Sequence, residues 1–98
     1  MHVISRKKIR EFLAKHPGAD AAALDRWYRL AKRGEWSSFA ELRIDFPAAD
    51  QVGILVVFNA GGNKYRLIAE INYVTQKLFL RHVLTHSEYD RETWKGTR

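Results

Sequence analysis

The chain has 98 residues, 46% of them hydrophobic, with 17 Lys and Arg against 11 Asp and Glu for a net charge of +6. This size and apolar content point to one globular domain over residues 1–98 and exclude a disordered tail. The absence of cysteine excludes disulfides and thiolate metal sites, and no apolar run approaches the roughly 20 residues of a membrane helix, so a cytoplasmic protein with no membrane partner is expected. The positive balance favours anionic partners, nucleic acid ahead of acidic protein, because neutralised phosphates release counterions.

His2 to Ile4 is β-prone, and Ser5 reads as the N-cap of a helix that carries Ile9, Phe12 and Leu13 on one face and stops at Pro17-Gly18. Arg6, Lys7, Lys8 and Arg10 open this helix at the end the macrodipole disfavours; they read as a solvated face or as phosphate-backbone contacts. Asp20 caps a second helix, whose Leu24, Trp27, Tyr28 and Ala31 recur at helical spacing until Gly34 stops it. Ser38-Phe39-Ala40-Glu41 matches a capping box, so a short helix runs from Phe39 to Asp45 and closes at Phe46-Pro47. Ala48 to Gly53 reads as a loop.

Val56, Val57 and Phe58 then run into Gly61-Gly62, a pair that tolerates positive φ, and Lys64 to Tyr73 alternates as the return strand of a hairpin. Tyr65, Leu67, Ala69, Ile71 and Tyr73 make its apolar face; Lys64, Arg66, Ile68, Glu70 and Asn72 make the other. After a turn at Val74-Thr75-Gln76, Lys77 to Leu84 is a third strand, apolar on both faces and so expected to be covered on both. Strict alternation puts Arg81 with Phe79 and Val83, and His82 with Leu78, Leu80 and Leu84. Thr85-His86-Ser87-Glu88 is a second capping box that starts a helical turn at His86, and Trp94 can anchor a tail expected otherwise to fray.

No phosphate loop, nucleotide-binding glycine fingerprint or nucleophile elbow is present. His82 and His86 stand four apart, but a strand end and a helix cap intervene and no second ligand pair is near, so no metal site is expected. What the spacing gathers is cationic. Antiparallel pairing sets Lys64 and Arg66 beside the end of the strand that carries Arg81, with His86 just beyond it. Two guanidinium groups, an ammonium and an imidazole can stabilise a dianionic phosphorane and move protons without a metal, and RNA brings its own 2'-hydroxyl nucleophile. The same residues also admit a purely structural reading, in which Arg66 and Arg81 pair with Glu70 or Glu88 and His86 caps a helix.

The phrases His2-Val3-Ile4-Ser5-Arg6-Lys7, Asp45-Phe46-Pro47, Phe58-Asn59 with Gly61-Gly62-Asn63-Lys64-Tyr65-Arg66-Leu67-Ile68, Gln76-Lys77 and Arg81-His82-Val83-Leu84-Thr85-His86 with Glu88-Tyr89-Asp90 resemble the HigB-like branch of the RelE superfamily of toxin endoribonucleases. They extend over nearly the whole chain. The resemblance implies an α+β fold, with an N-terminal strand and two to three helices packed on one face of a small, mainly antiparallel sheet. It also implies a basic cleft on the other face that cuts mRNA, usually on the translating ribosome, with no cofactor. A cognate HigA-like helix-turn-helix antitoxin is the implied partner. In role terms it gives Arg66 and Arg81 the phosphate and transition-state charge, Lys64 substrate binding or general base, and His86 general acid or base. Asn63, Lys64, Tyr89, Arg6 and Lys7 become RNA contacts, Tyr89 stacking on a base or orienting His86. Two other classes stay open on the residues alone: a non-catalytic RNA or ribosome binder, and a module whose basic face grips an acidic protein.

Overall fold

The computed structural model describes residues 1–91 and Trp94. In chain order the elements are β1 (His2–Ile4), α1 (Lys7–Lys15), α2 (Ala21–Arg33), α3 (Phe39–Asp45), β2 (Asp50–Val52), β3 (Leu55–Ala60), β4 (Tyr65–Asn72), β5 (Lys77–Thr85) and α4 (His86–Asp90). The strands form one sheet of order β1-β5-β4-β3-β2, parallel at β1 and β5 and antiparallel elsewhere. The fold is therefore α+β, with α1, α2 and α3 laid on one face of the sheet.

The helical and the two-residue periods meet in a single core. Ile9 and Phe12 of α1, Leu24, Trp27 and Ala31 of α2, and Leu42 of α3 pack on Val56, Phe58, Leu67, Ala69, Leu78 and Leu80 of the strands. Phe58 is the centre of this contact, taking Trp27 and Phe46 edge-on at 5.3 and 4.9 Å between ring centroids. Each such fully buried side chain contributes about 1.5–3 kcal/mol relative to exposure.

Two of the expected caps form as read. Asp20 accepts from the Ala23 N–H at 3.1 Å, and Thr85 with Glu88 makes a complete capping box on α4. The Ser38 hydroxyl likewise accepts from the Glu41 N–H, but the Glu41 carboxylate reaches past Ser38 to the Ser37 N–H and hydroxyl, at 2.7 and 2.6 Å. Ser5 does not cap α1. Its φ is 79°, Arg6 is the N-cap, and the first turn is tied by backbone bonds from Lys8 to Ser5 and Ile9 to Arg6. Gly34 ends α2 for a packing reason: its φ is −63°, and a Cβ there would lie 2.2 Å from the Trp36 indole.

The segment expected to be a loop contains β2, which adds an edge strand by pairing Asp50 to Val52 with Val57 to Leu55. A three-residue strand carries no usable alternation, so only its partner could reveal it. The hairpin turn uses three successive left-handed residues, Gly61, Gly62 and Asn63, at φ 61°, 57° and 82°. A register shift between Ile68 and Ala69 corrects the expected faces of β5. Ala69 pairs with Leu80 and Ile68 with His82, so Arg81 is the extra residue of a bulge. Beyond it the alternation is reversed: Val83 joins Leu80 on the helix side, while His82 and Leu84 join Arg66 and Ile68 on the other.

That other face is only partly open. Leu55, Val57, Ile68 and Trp94 form a second apolar cluster there, with Val52, Leu84 and Tyr89 packed against it. Trp94 is the anchor expected of it, 3% exposed; the rest of the expected frayed tail, apart from Arg91, lies outside the described residues.

Candidate active site

The hairpin turn, the end of β5 and the start of α4 come together because β4 and β5 are antiparallel and Tyr65 pairs with Thr85. The His86 N–H donates to the Lys64 carbonyl at 3.0 Å, which locks the first residue of α4 to the residue before β4. Lys64 and Asn63 are exposed at this tip, and the Asn63 side chain takes a long bond from Asn59 at 3.5 Å. The His86 imidazole turns its Nδ1 to the Asp90 carboxylate at 3.0 Å, one helical turn away. With Nδ1 so engaged, Nε2 is the ring nitrogen left to face a substrate.

Arg66 projects from β4 into the same region. Its Nη1 donates to the Asn63 and Tyr65 carbonyls, both at 3.1 Å, and its guanidinium lies 5.4 Å from the centre of the Tyr89 ring. Tyr89 is stacked in turn on Trp94, 5.2 Å apart with planes 15° from parallel, and its carbonyl accepts from the Trp94 indole. Arg66 is thus 9% exposed, yet among the described residues it has no ion pair with a carboxylate. A guanidinium has five donors, and carbonyl bonds to one nitrogen leave most of them for an anion.

Arg81 stands farther along the sheet, at the bulge. Leu84, three residues on, is the partner of Arg66, so the two arginines are separated by roughly 7–10 Å of strand. Arg81 is paired with Glu70 at 2.9 Å and lies over Phe79, with its guanidinium 5.3 Å from the ring centre. Its Nε is buried and makes no hydrogen bond among the described residues. Beside it, a hollow of about 250 Å³ opens between α1 and the edge of β5, lined among others by Lys8, Lys15, His16, His82 and Glu88.

The site residues therefore fall into two groups along β4 and β5. Asn63, Lys64, Arg66, His86 and Tyr89 gather at the tip, and Arg81 leads the group at the bulge. Glu88 touches both: its Oε1 accepts from the Thr85 N–H at 2.9 Å and lies 3.8 Å from Nε2 of His16. Arg6 turns instead toward α2, over the Tyr28 ring at 4.4 Å and 3.9 Å from Asp25, and the α1 residues that line the hollow are Lys8, Glu11, Phe12 and Lys15, with Lys7 exposed elsewhere on α1. Tyr89 offers its ring to Trp94 and Arg66.

A family model described as HigB_toxin, a RelE-like toxic component of a toxin-antitoxin system, matches residues 20–92. The chain belongs to this HigB family. The mRNA interferase HigB of Escherichia coli O6:H1 (strain CFT073) is 38% identical over 96 residues, covering 95% of this chain and 92% of the relative. The mRNA interferase toxin HigB of Escherichia coli K12 is 33% identical over 93 residues, covering 92% and 88%, as is the mRNA interferase HigB of Shigella flexneri. In this HigB-family toxin the matched segment contains β2 to β5 and the whole tip group, whereas Lys8, Lys15 and His16 of the hollow lie before it. As a toxin of such a system it has an antitoxin as partner. Among the described residues no helix is long and apolar enough to cross a membrane.

Sequence reading passed over Asp90, His16 and the pairing of Trp94 with Tyr89. Asp90 was within reach, since a helix started at His86 puts residue 90 on the same face. His16 was not, because nothing in the sequence links the end of α1 to Glu88.

Proposed function

We propose that this chain is the toxin of a type II toxin-antitoxin system and an endoribonuclease that cuts mRNA on the translating ribosome, in the cytoplasm, restrained by a HigA-like helix-turn-helix antitoxin. Relatives named mRNA interferases support the activity. The observation that carries the chemistry is Arg66, a nearly buried guanidinium without a carboxylate partner among the described residues. Burying a cation is costly unless it is paired, and a substrate phosphate is the anion that would complete its donors.

In this reading the 2'-hydroxyl of the RNA attacks the adjacent phosphorus and the bond to the leaving 5'-oxygen breaks. Arg66 and Arg81 take the charge that builds on the phosphorane oxygens, where one well-placed donor is worth about 10²–10³ in rate. Lys64 binds the substrate or takes the 2'-hydroxyl proton. His86, steadied by Asp90, moves the other proton through Nε2. Asn63 contributes RNA contacts at the tip, and Tyr89 holds the face of Arg66.

The test is expression of the chain without its antitoxin, followed by mapping of RNA 5' ends. New ends inside open reading frames are expected, and Arg66→Lys, which keeps the charge and loses the planar fork, should reduce them at least tenfold with the fold retained. Translation that stops while messages stay intact would make the chain a non-catalytic RNA or ribosome binder and overturn the enzyme reading.

A further inference from the structure

The helix α2 has a second face that neither the core nor the candidate active site uses. Leu24, Trp27 and Ala31 point it at the sheet, and Arg26, Arg29 and Arg33 recur at i, i+3 and i+7 on the outward side, with Leu30 on the flank between the two. With Lys32 they line an open hollow of about 540 Å³, roomier than the one beside Arg81. Leu30 lies at the edge of the stripe, 43% exposed. The only acidic residue of α2 is Asp25, engaged with Arg29 at 2.9 Å and near Arg6; Arg26, Lys32 and Arg33 form no ion pair among the described residues.

We infer that this outward face of α2 is the docking surface for an acidic segment of the antitoxin, seated by one apolar side chain on Leu30 with carboxylates against Arg26, Lys32 and Arg33. Charge complementarity requires an anionic occupant. The exposed apolar edge selects protein over nucleic acid, since a phosphate backbone offers Leu30 and the aliphatic arginine stems nothing to bury. Arginines beside an exposed apolar side chain are residue types enriched at protein interfaces. Position argues the same way: α2 packs its other face on the sheet, whose far side carries Arg66. An antitoxin anchored here grips the toxin without competing for the groups that bind RNA. The inference rests on membership of a toxin-antitoxin family and not on the proposed cleavage chemistry.

The experiment is calorimetric titration of the full chain with its purified cognate antitoxin, beside the double variant Arg26→Glu/Arg33→Glu and the single variant Leu30→Ala. All these side chains are exposed, and circular dichroism checks the fold. Charge reversal should weaken binding by roughly 100-fold and Leu30→Ala by about tenfold. Both free variants should still cleave message in a translating extract, and the antitoxin should no longer silence the double variant at concentrations that silence the parent. Unchanged antitoxin affinity in both variants overturns the inference. Loss of message cleavage with antitoxin affinity intact also overturns it and makes the face an RNA surface. A parent chain that binds antitoxin but cuts no message refutes the cleavage reading and leaves the binding result standing.

Discussion

The Arg81 guanidinium meets the Glu70 carboxylate at 2.9 Å: Glu70 pairs with Phe79 in register, and Arg81, two residues on from Phe79, lies on the same face. The pair is about a third exposed, so it adds under about 1 kcal/mol to stability. In the proposed chemistry its larger effect is on function, because the charge that Arg81 would offer a phosphate is already partly neutralised. Arg81→Ala should lower cleavage in a translating extract by about 10²–10³ with an unchanged denaturation midpoint. Glu70→Gln should tighten RNA binding several-fold at low salt and lose that advantage at high salt. Full cutting by the Arg81 variant would remove Arg81 from the chemistry.

Asp90 holds the His86 imidazole through the 3.0 Å contact at Nδ1, and in the proposed chemistry it acts as a positioning residue. Asp90→Asn is expected to lower kcat by about tenfold with little change in KM, since the imidazole is misdirected and not removed. Asp90→Glu should restore part of the loss. A variant that changes KM alone would show that Asp90 contacts RNA directly.

Trp94 closes the second cluster and backs the Tyr89 ring that faces Arg66. Trp94→Ala should destabilise the fold by about 3 kcal/mol, read from urea denaturation. Cleavage should also fall under conditions where the variant is fully folded, because Arg66 loses the wall that holds it. Retained activity in the folded variant would confine Trp94 to stability.

Gly34→Ala sets a Cβ against the Trp36 ring, a clash that outweighs the roughly 0.4–1 kcal/mol gained by restricting the unfolded chain at an ordinary φ, so a net loss of about 1–3 kcal/mol is expected. The double variant Gly34→Ala/Trp36→Leu should show a much smaller additional cost for the methyl group. Equal costs in the two backgrounds would show that the ring is not what excludes it.

The Ser37 hydroxyl and N–H hold the Glu41 carboxyl below its usual value near 4.5. A lowered folded value means that the stabilisation is complete above the ordinary value and is lost as pH falls through the lowered one. Acid titration of unfolding should therefore show a small loss beginning below about pH 4.5 that Glu41→Gln removes. An acid limb identical in parent and variant would contradict this.

Much of this protein was written locally. The helical spacing of Leu24, Trp27 and Ala31, the caps Asp20 and Thr85 with Glu88, and the Gly61-Gly62 turn are each decided within a few residues, so they could be read before any fold was known. The tip that joins Lys64, Arg66 and His86 was also legible, because antiparallel pairing of β4 with β5 follows from their short connection, but Arg81, expected to converge with them, stands apart at the bulge. The bulge at Arg81 was not, since it exists only as a mismatch between two strands and shifts side chains that alternation alone would have placed otherwise.

Partner choice escaped in the same way. Composition determined that this chain carries excess positive charge, and its motifs determined the family. Only the tertiary structure decided which cations are spent: Arg81 on Glu70, Arg6 on Tyr28 and Asp25, and Arg66 on carbonyls and an aromatic ring with no carboxylate among the described residues. Charge is a property of the chain, but the availability of a charge depends on what packs against it, and packing joins residues that the sequence holds far apart.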